Sequence, residues 1–329
     1  MINKNVYLNP KLFDPDIPQV PSRNGYGEGL VLAGEENEQV VALCADLTES
    51  TRTQAFAEKF PERFIEVGVA EQNLATVAAG MAAAGKIPFI SSYATFSPGR
   101  NWEQIRTTIC YNDLPVKIVG SHAGVTVGPD GATHQALEDM ALMRSLPNMI
   151  VLSPADSIEA KKATLAMARL PKPCYIRLSR DKIPVVTTPQ TPFEIGKAEV
   201  FYEGKDVVVI ATGQMVYRAL LSAKQMQLHK ISVRVINCHT IKPLDRNTIL
   251  KAAEECRAVV TVEEHQITGG LGGAVAELLS QNFPVPLKII GVEDRFGESG
   301  EPIELLAKFG LTEEAISKAI IHVLRMKEK

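Results

Sequence analysis

Along most of these 329 residues, short runs of consecutive apolar residues alternate with longer stretches whose apolar positions recur every three or four. The short runs fall at 40–44, 87–91, 116–120, 149–152 and 174–178, and they are rich in Val and Ile. A strand that is apolar at every position is buried on both faces, which predicts a parallel sheet covered by helices on each side. Helical patterning falls between these runs, near 71–85, 100–111, 134–145 and 156–169. The texture then changes. Residues 183–192 carry three prolines and no helical period, and read as an interdomain linker. Beyond it the alternation restarts, with strands expected at 206–211, 232–236, 258–262 and 287–291. Helices are expected near 215–228 and 245–256, from 269, and near 312–327. The prediction is an α/β chain of two domains, 1–190 and 191–329, each a mostly parallel sheet with helices on both faces.

Composition narrows the partners. A net charge of −3 gives no reason to expect nucleic acid or an anionic membrane surface. No apolar run is long enough to span a bilayer, and no apolar segment follows the opening Met1-Ile-Asn-Lys-Asn, so no signal peptide is expected. Five scattered cysteines suit neither a disulfide framework nor a zinc site, and fit a reducing cytoplasm.

Candidate chemistry gathers where strands end. In Val67-Gly-Val-Ala-Glu71 a strand runs out, Gly68 lets the backbone turn, and an acid stands at the mouth of a helix rich in Ala and Gly. Two readings are open: a plain carboxylate at a helix N-terminus, or a buried acid kept for chemistry. Gly269-Gly-Leu-Gly-Gly273 also opens a helix but lacks the spacing of a dinucleotide fingerprint, so close helix packing is the expected reason for its glycines. The stretch Ser121–Gln135 follows a strand and hangs His122, Asp130 and His134 on a glycine-shaped loop. At the carboxyl end of a strand, such a loop suits hydroxyl binding, proton transfer by histidine or metal binding. Arg23, Ser50 and Arg180 could be brought to the same sheet edge, and Arg with Ser is a phosphate-holding chemistry.

These pieces resemble the transketolase family, in its C-terminal half. The resemblance rests on Ala45-Asp-Leu-Thr-Glu-Ser50, Val67-Gly-Val-Ala-Glu-Gln-Asn73, Gly120-Ser-His122, Gly128-Pro-Asp-Gly-Ala-Thr-His-Gln135, Leu146-Pro-Asn148 and Glu293-Asp-Arg-Phe-Gly297, in that order. It implies that Glu71 contacts the distal ring nitrogen of the thiamine diphosphate aminopyrimidine, in surroundings of low polarity that raise its pKa. It implies that Phe96 and Tyr93 pack on that ring and that Leu47 also lies at the cofactor. Arg23, Ser50 and Arg180 would hold the sugar phosphate; His122, Asp130 and His134 would read the donor's hydroxyls, the histidines assisting proton transfer. Two departures are visible: Tyr93 stands where the family usually has Phe, and the stretch 97–101 has no aromatic where one is usual.

The family's Gly-Asp-Gly motif, which binds magnesium and the diphosphate, does not occur in this chain. The resemblance therefore implies the smaller subunit of a split transketolase in the pentose phosphate pathway, bearing no metal ligand itself. A partner subunit would supply the diphosphate half and Mg2+, in a two-plus-two heterotetramer with the site at the junction. The reaction implied is transfer of a two-carbon ketol unit between sugar phosphates. Competing readings are the β subunit of the decarboxylating component of a 2-oxo-acid dehydrogenase, deoxyxylulose-phosphate synthase, and a non-catalytic scaffold of the same fold.

Overall fold

A computed structural model describes residues 1–328. The strand Val40–Cys44 lies inside a seven-stranded sheet whose other members, outward on one side, begin with Phe64–Glu66. On the other side come Ile87–Tyr93, Lys117–Ser121, Cys174–Arg177, Ile150–Leu152 and Thr240–Lys242. All neighbours are parallel except the last. Alternation along Val40–Cys44 explains the unbroken apolar run. Val41 and Leu43 join a cluster with Leu74, Ala78 and Ile105, while Val40 and Ala42 join a second cluster with Tyr26, Leu30 and Met167. Each face of the strand meets its own helices.

The second sheet orders Leu287–Val292, Val259–Gln266, Val207–Ala211, Val233–Asn237 and Glu199–Tyr202, with only the last antiparallel. The expected fold class is the one found. The two sheets are not independent beads, however. One apolar cluster runs from Val41 and Ile118 through Met140, Met143 and Met149 to Ile236, Cys238 and Val275. Thr240–Lys242, beyond the second sheet's own strand, pairs with Ile150–Leu152 at the edge of the first.

Residues 183–192, read as the interdomain linker, are tied down at their start: Ile183–Pro184 pairs antiparallel with Gln19–Val20, and the Asp156 carboxylate accepts from the Val186 amide at 2.8 Å and the Thr187 amide at 2.6 Å. The helix expected at 134–145 is only Asp139–Arg144. Residues 135–138 are not helical: Ala136 bridges to Ala123, and Ala136 and Leu137 give their carbonyls to the amides of Gly124 and Gln266. A 15-residue helix, Ser22–Glu36, arises where no helical pattern stood out. Its four glycines weaken local helix propensity, and packing requires all four to lack a side chain: a Cβ on Gly25 would strike the Ser157 carbonyl, on Gly27 the Arg52 carbonyl, on Gly29 Thr164, and on Gly34 the Phe56 and Phe60 rings. No helix among the described residues is long and apolar enough to cross a membrane.

Candidate functional site

Parallel strands aim their carboxyl ends at one edge of the sheet, and the candidate residues lie there. Leu47 and Ser50 follow Val40–Cys44, Glu71 follows Phe64–Glu66, Phe96 follows Ile87–Tyr93, His122 follows Lys117–Ser121, and Arg180 follows Cys174–Arg177. The chain steps from Val40–Cys44 to one side, then crosses to Ile87–Tyr93 on the other. Doubly wound sheets open a crevice at such a reversal, where ligands bind.

Glu71 is the first residue of the helix Glu71–Ala83 and only 1% exposed. Its side chain does not cap that helix. One carboxylate oxygen accepts from Ser92 Oγ at 3.1 Å, and the other pairs with Arg100 Nη1 at 2.6 Å. Asn101 Nδ2 donates to the Glu71 carbonyl at 2.9 Å, tying the turn after Phe96 to the helix start. The low polarity expected around this acid is thus not what surrounds it: a hydroxyl and a guanidinium meet the carboxylate. Arg100 is 46% exposed and stacks over the Phe96 ring at 4.6 Å. It fills, with a planar cation, the stretch where the family pattern has an aromatic.

Four rings meet beside this pair. Tyr93 stacks on His122 at 4.0 Å between centroids and lies 6.0 Å from Phe96, while His134 presents its edge to Phe96 at 5.4 Å. His122 Nε2 lies 3.3 Å from Arg23 Nη1, and its Nδ1 lies 2.9 Å from Ser121 Oγ. A guanidinium can only donate, so Nε2 accepts and the proton sits on Nδ1, donated to Ser121. Burial, with Arg23 and then Arg180 nearby, pushes the His122 pKa down to about 3. The imidazole is therefore neutral across the physiological range. It can accept and donate hydrogen bonds, but does not titrate near neutrality.

The cations converge as well. Arg23 Nη1 donates to the Ser50 carbonyl at 2.6 Å, so the backbone of Ser50, not its hydroxyl, holds that arginine. Arg180 Nη1 donates to the Val127 carbonyl at 2.6 Å, and its other terminal nitrogen lies 4.0 Å from Asp130. Leu47 stands half-buried at the head of the Ser50 turn, its carbonyl accepting from the Thr51 amide at 2.9 Å. Glu71, Tyr93, Phe96, His122, His134 and Arg23 thus form one linked group, with Arg180 and Asp130 on its rim. Arg100, Ser92 and Arg52 were not singled out from sequence. A cation in the stretch lacking its aromatic was the visible signal for Arg100; Arg52 donates to Asn24 Oδ1 at 3.0 Å, beside Arg23, and its charge acts on Arg23 and His122.

The glycine-rich helix start holds an internal carboxyl group. Glu263, fully buried, accepts from the amides of Leu271 and Gly272 at 2.7 Å each. A Cβ on Gly270 would strike that carboxylate, and one on Gly272 would strike Ile289. Close packing accounts for Gly269 and Gly272, while Gly270 leaves room for the carboxylate and Gly273 is not crowded. Among the described residues, no three His, Cys, Asp or Glu side chains are grouped as a metal site.

This arrangement has known counterparts. Residues 19–185 match the family described as transketolase, pyrimidine binding domain, and residues 196–316 match transketolase, C-terminal domain. The chain belongs to the transketolase family. Within it, the chain corresponds to the C-terminal section and is similar to subunits of the split type. A transketolase C-terminal section of Methanocaldococcus jannaschii is 45% identical over 306 residues, covering 92% of this chain and 96% of that protein. A 6-deoxy-6-sulfo-D-fructose transketolase subunit of a Clostridium species is 41% identical over 305 residues, covering 93% of this chain and 95% of its own length. A solved structure described as a split gene transketolase, inactive beta4 tetramer, superimposes with a TM-score of 0.88 at 47% identity, over 94% of this chain and 99% of that one.

Proposed function

We propose that this chain is the smaller subunit of a thiamine-diphosphate-dependent transketolase, active only when a partner subunit completes the site. The observation that carries the reading is Glu71: a buried acid that does not cap its helix, paired at the carboxyl edge of the sheet with an arginine that lies over Phe96. Its surroundings fit one half of the cofactor. Phe96 offers a face for a flat ring, and the Glu71 carboxylate can hold a proton at a ring nitrogen. Arg100 must swing away for that nitrogen to reach the carboxylate, and its half-exposed side chain can do so. Thiamine diphosphate, when bound, supplies the electron sink for carbon–carbon cleavage. The diphosphate and Mg2+ would be held mainly by the partner.

The remaining residues suit an anionic, polyhydroxylated substrate. Arg23, Arg180 and the Ser50 turn supply the anion-holding end, while His122, Asp130 and His134 read hydroxyls. Neutral His122 orients through hydrogen bonds rather than shuttling protons. The sulfosugar named for the Clostridium relative also carries an anionic end, which supports a site built around charge. The inactive beta4 neighbour supports a chain that does not work alone, and a two-plus-two heterotetramer is the assembly we propose. Five free, buried cysteines support a reducing cytoplasm as its place of work.

The reading is tested by reconstituting the pair with thiamine diphosphate and magnesium. Xylulose 5-phosphate with ribose 5-phosphate is then compared with pyruvate. Ketol transfer is expected. Pyruvate decarboxylation without ketol transfer would move the chain to the 2-oxo-acid dehydrogenase reading.

A further inference from the structure

The loop bearing Asp130 and His134 is shaped by residues outside its own domain. Its backbone reaches positive φ at Gly124 (89°), Gly128 (79°) and Gly131 (73°), conformations that only glycine adopts without strain. Such a loop needs outside support to keep one shape. Gln135, 4% exposed, provides part of it: its Nε2 donates toward the carbonyls of Val125 at 3.1 Å, Gly128 at 3.1 Å and Glu298 at 2.9 Å. Three carbonyls around one atom fix the amide's orientation, since only the NH2 end can face them. The first two acceptors lie in the loop; the third belongs to the C-terminal domain. The amide oxygen points at Gly297, where a Cβ would collide with it. Gly297 is not at positive φ, so the space taken by Gln135 accounts for its glycine. Cβ atoms on Gly131 and Gly128 would likewise meet Ser299 and Gly300. Lower in the loop, Glu264, also of the C-terminal domain, accepts from the Thr126 amide at 2.8 Å and is itself held by Gln214.

We infer that Gln135 and the Gly297–Gly300 segment form a strut through which the C-terminal domain sets the position of Asp130 and His134, so that Gln135 is a positioning residue and Gly297 makes room for it. The inference rests on the proposed function for its catalytic meaning, because those two residues matter to turnover only if they read the sugar.

The test has two readouts. In the full chain with 13C-labelled histidine, Gly297→Ala forces Gln135 out of its seat and should shift the His134 ring resonance, assigned with His134→Asn. His229 and His322, both exposed, should stay put. Gln135→Ala, which removes volume and creates no clash, should shift it too. In the double variant Gly297→Ala should add nothing further, because the atom it strikes is gone. In the reconstituted pair, Gly297→Ala and Gln135→Ala should raise the donor KM by about 10- to 100-fold, with thiamine diphosphate affinity unchanged. A His134 resonance unmoved by Gly297→Ala, or effects that simply add in the double variant, overturns the strut. A shifted resonance with an unchanged donor KM upholds the strut and removes the sugar-reading role of His134.

Discussion

Two of the buried glutamates at helix mouths in this chain, Glu263 and Glu71, serve opposite ends. Glu263 gives one carboxylate oxygen to each of two helix amides, in a space that glycine alone leaves open. Nothing from outside can replace those partners without unravelling a helix start, and helix N-terminal amides favour such a negative charge. Glu71 is as deeply buried, yet its carboxylate meets no amide of its own helix. Its partners are a serine hydroxyl and the end of a long, half-exposed arginine. Those partners are replaceable, and Arg100 is half open to solvent. An acid satisfied by backbone is structure; an acid satisfied by a movable side chain is available for chemistry. Burial alone does not separate the two.

The largest effect that sharpens this contrast is on turnover. Glu71→Gln should lower ketol transfer by the assembled pair by ~10²- to 10⁴-fold, the range of a lost acid–base group, with its subunit association, followed by light scattering, unchanged. Glu263→Gln should do the reverse. Its amide hydrogens would face helix N–H groups, costing about 1–3 kcal/mol of stability by urea titration, while the folded fraction transfers at the normal rate. Equal loss of activity in both variants would erase the distinction.

The pH dependence of that stability follows from burial, which raises the Glu263 pKa above the ordinary 4.5. A group whose folded pKa is raised binds more protons in the native state. Its contribution is full below 4.5 and declines as pH climbs through the folded value. Urea midpoints of wild type and Glu263→Gln at pH 5 and pH 8 should therefore differ more at pH 5. A gap that widens with pH would contradict this account. The smallest effect concerns the helices themselves. Gly80, on the Glu71 helix, has open space where a Cβ would stand, so Gly80→Ala should stabilise the chain by about 0.5–1 kcal/mol. Thermal melting checks this, and no gain would imply a neighbour that the packing does not contain.

Much of this was legible in sequence, for a physical reason. Strands buried on both faces must be apolar throughout, so Val40–Cys44 and Val207–Ala211 announced themselves. Glu71 stood out through the motif around it, because a carboxylate at a helix mouth is by itself an ordinary helix terminus. What escaped was imposed from a distance. The helix Ser22–Glu36 exists because its glycines let the helix Ser157–Ala168 approach, a demand invisible to local propensity. The strand Thr240–Lys242 has three residues and owes its pairing to another domain's edge. Glu263 drew no notice in the sequence, since its partners are amides eight and nine positions on. Arg100 was conspicuous only as a missing aromatic.

The central claim is that this chain brings the acid and the substrate side of a site that another polypeptide must complete. The most direct measurement adds a transketolase N-terminal-section subunit stepwise to a fixed amount of this chain, with thiamine diphosphate, magnesium, xylulose 5-phosphate and ribose 5-phosphate present. The account predicts no transfer without the partner, a rate that climbs with each addition, and saturation at one partner per chain. Transfer by this chain alone, at a rate the partner does not change, would contradict it.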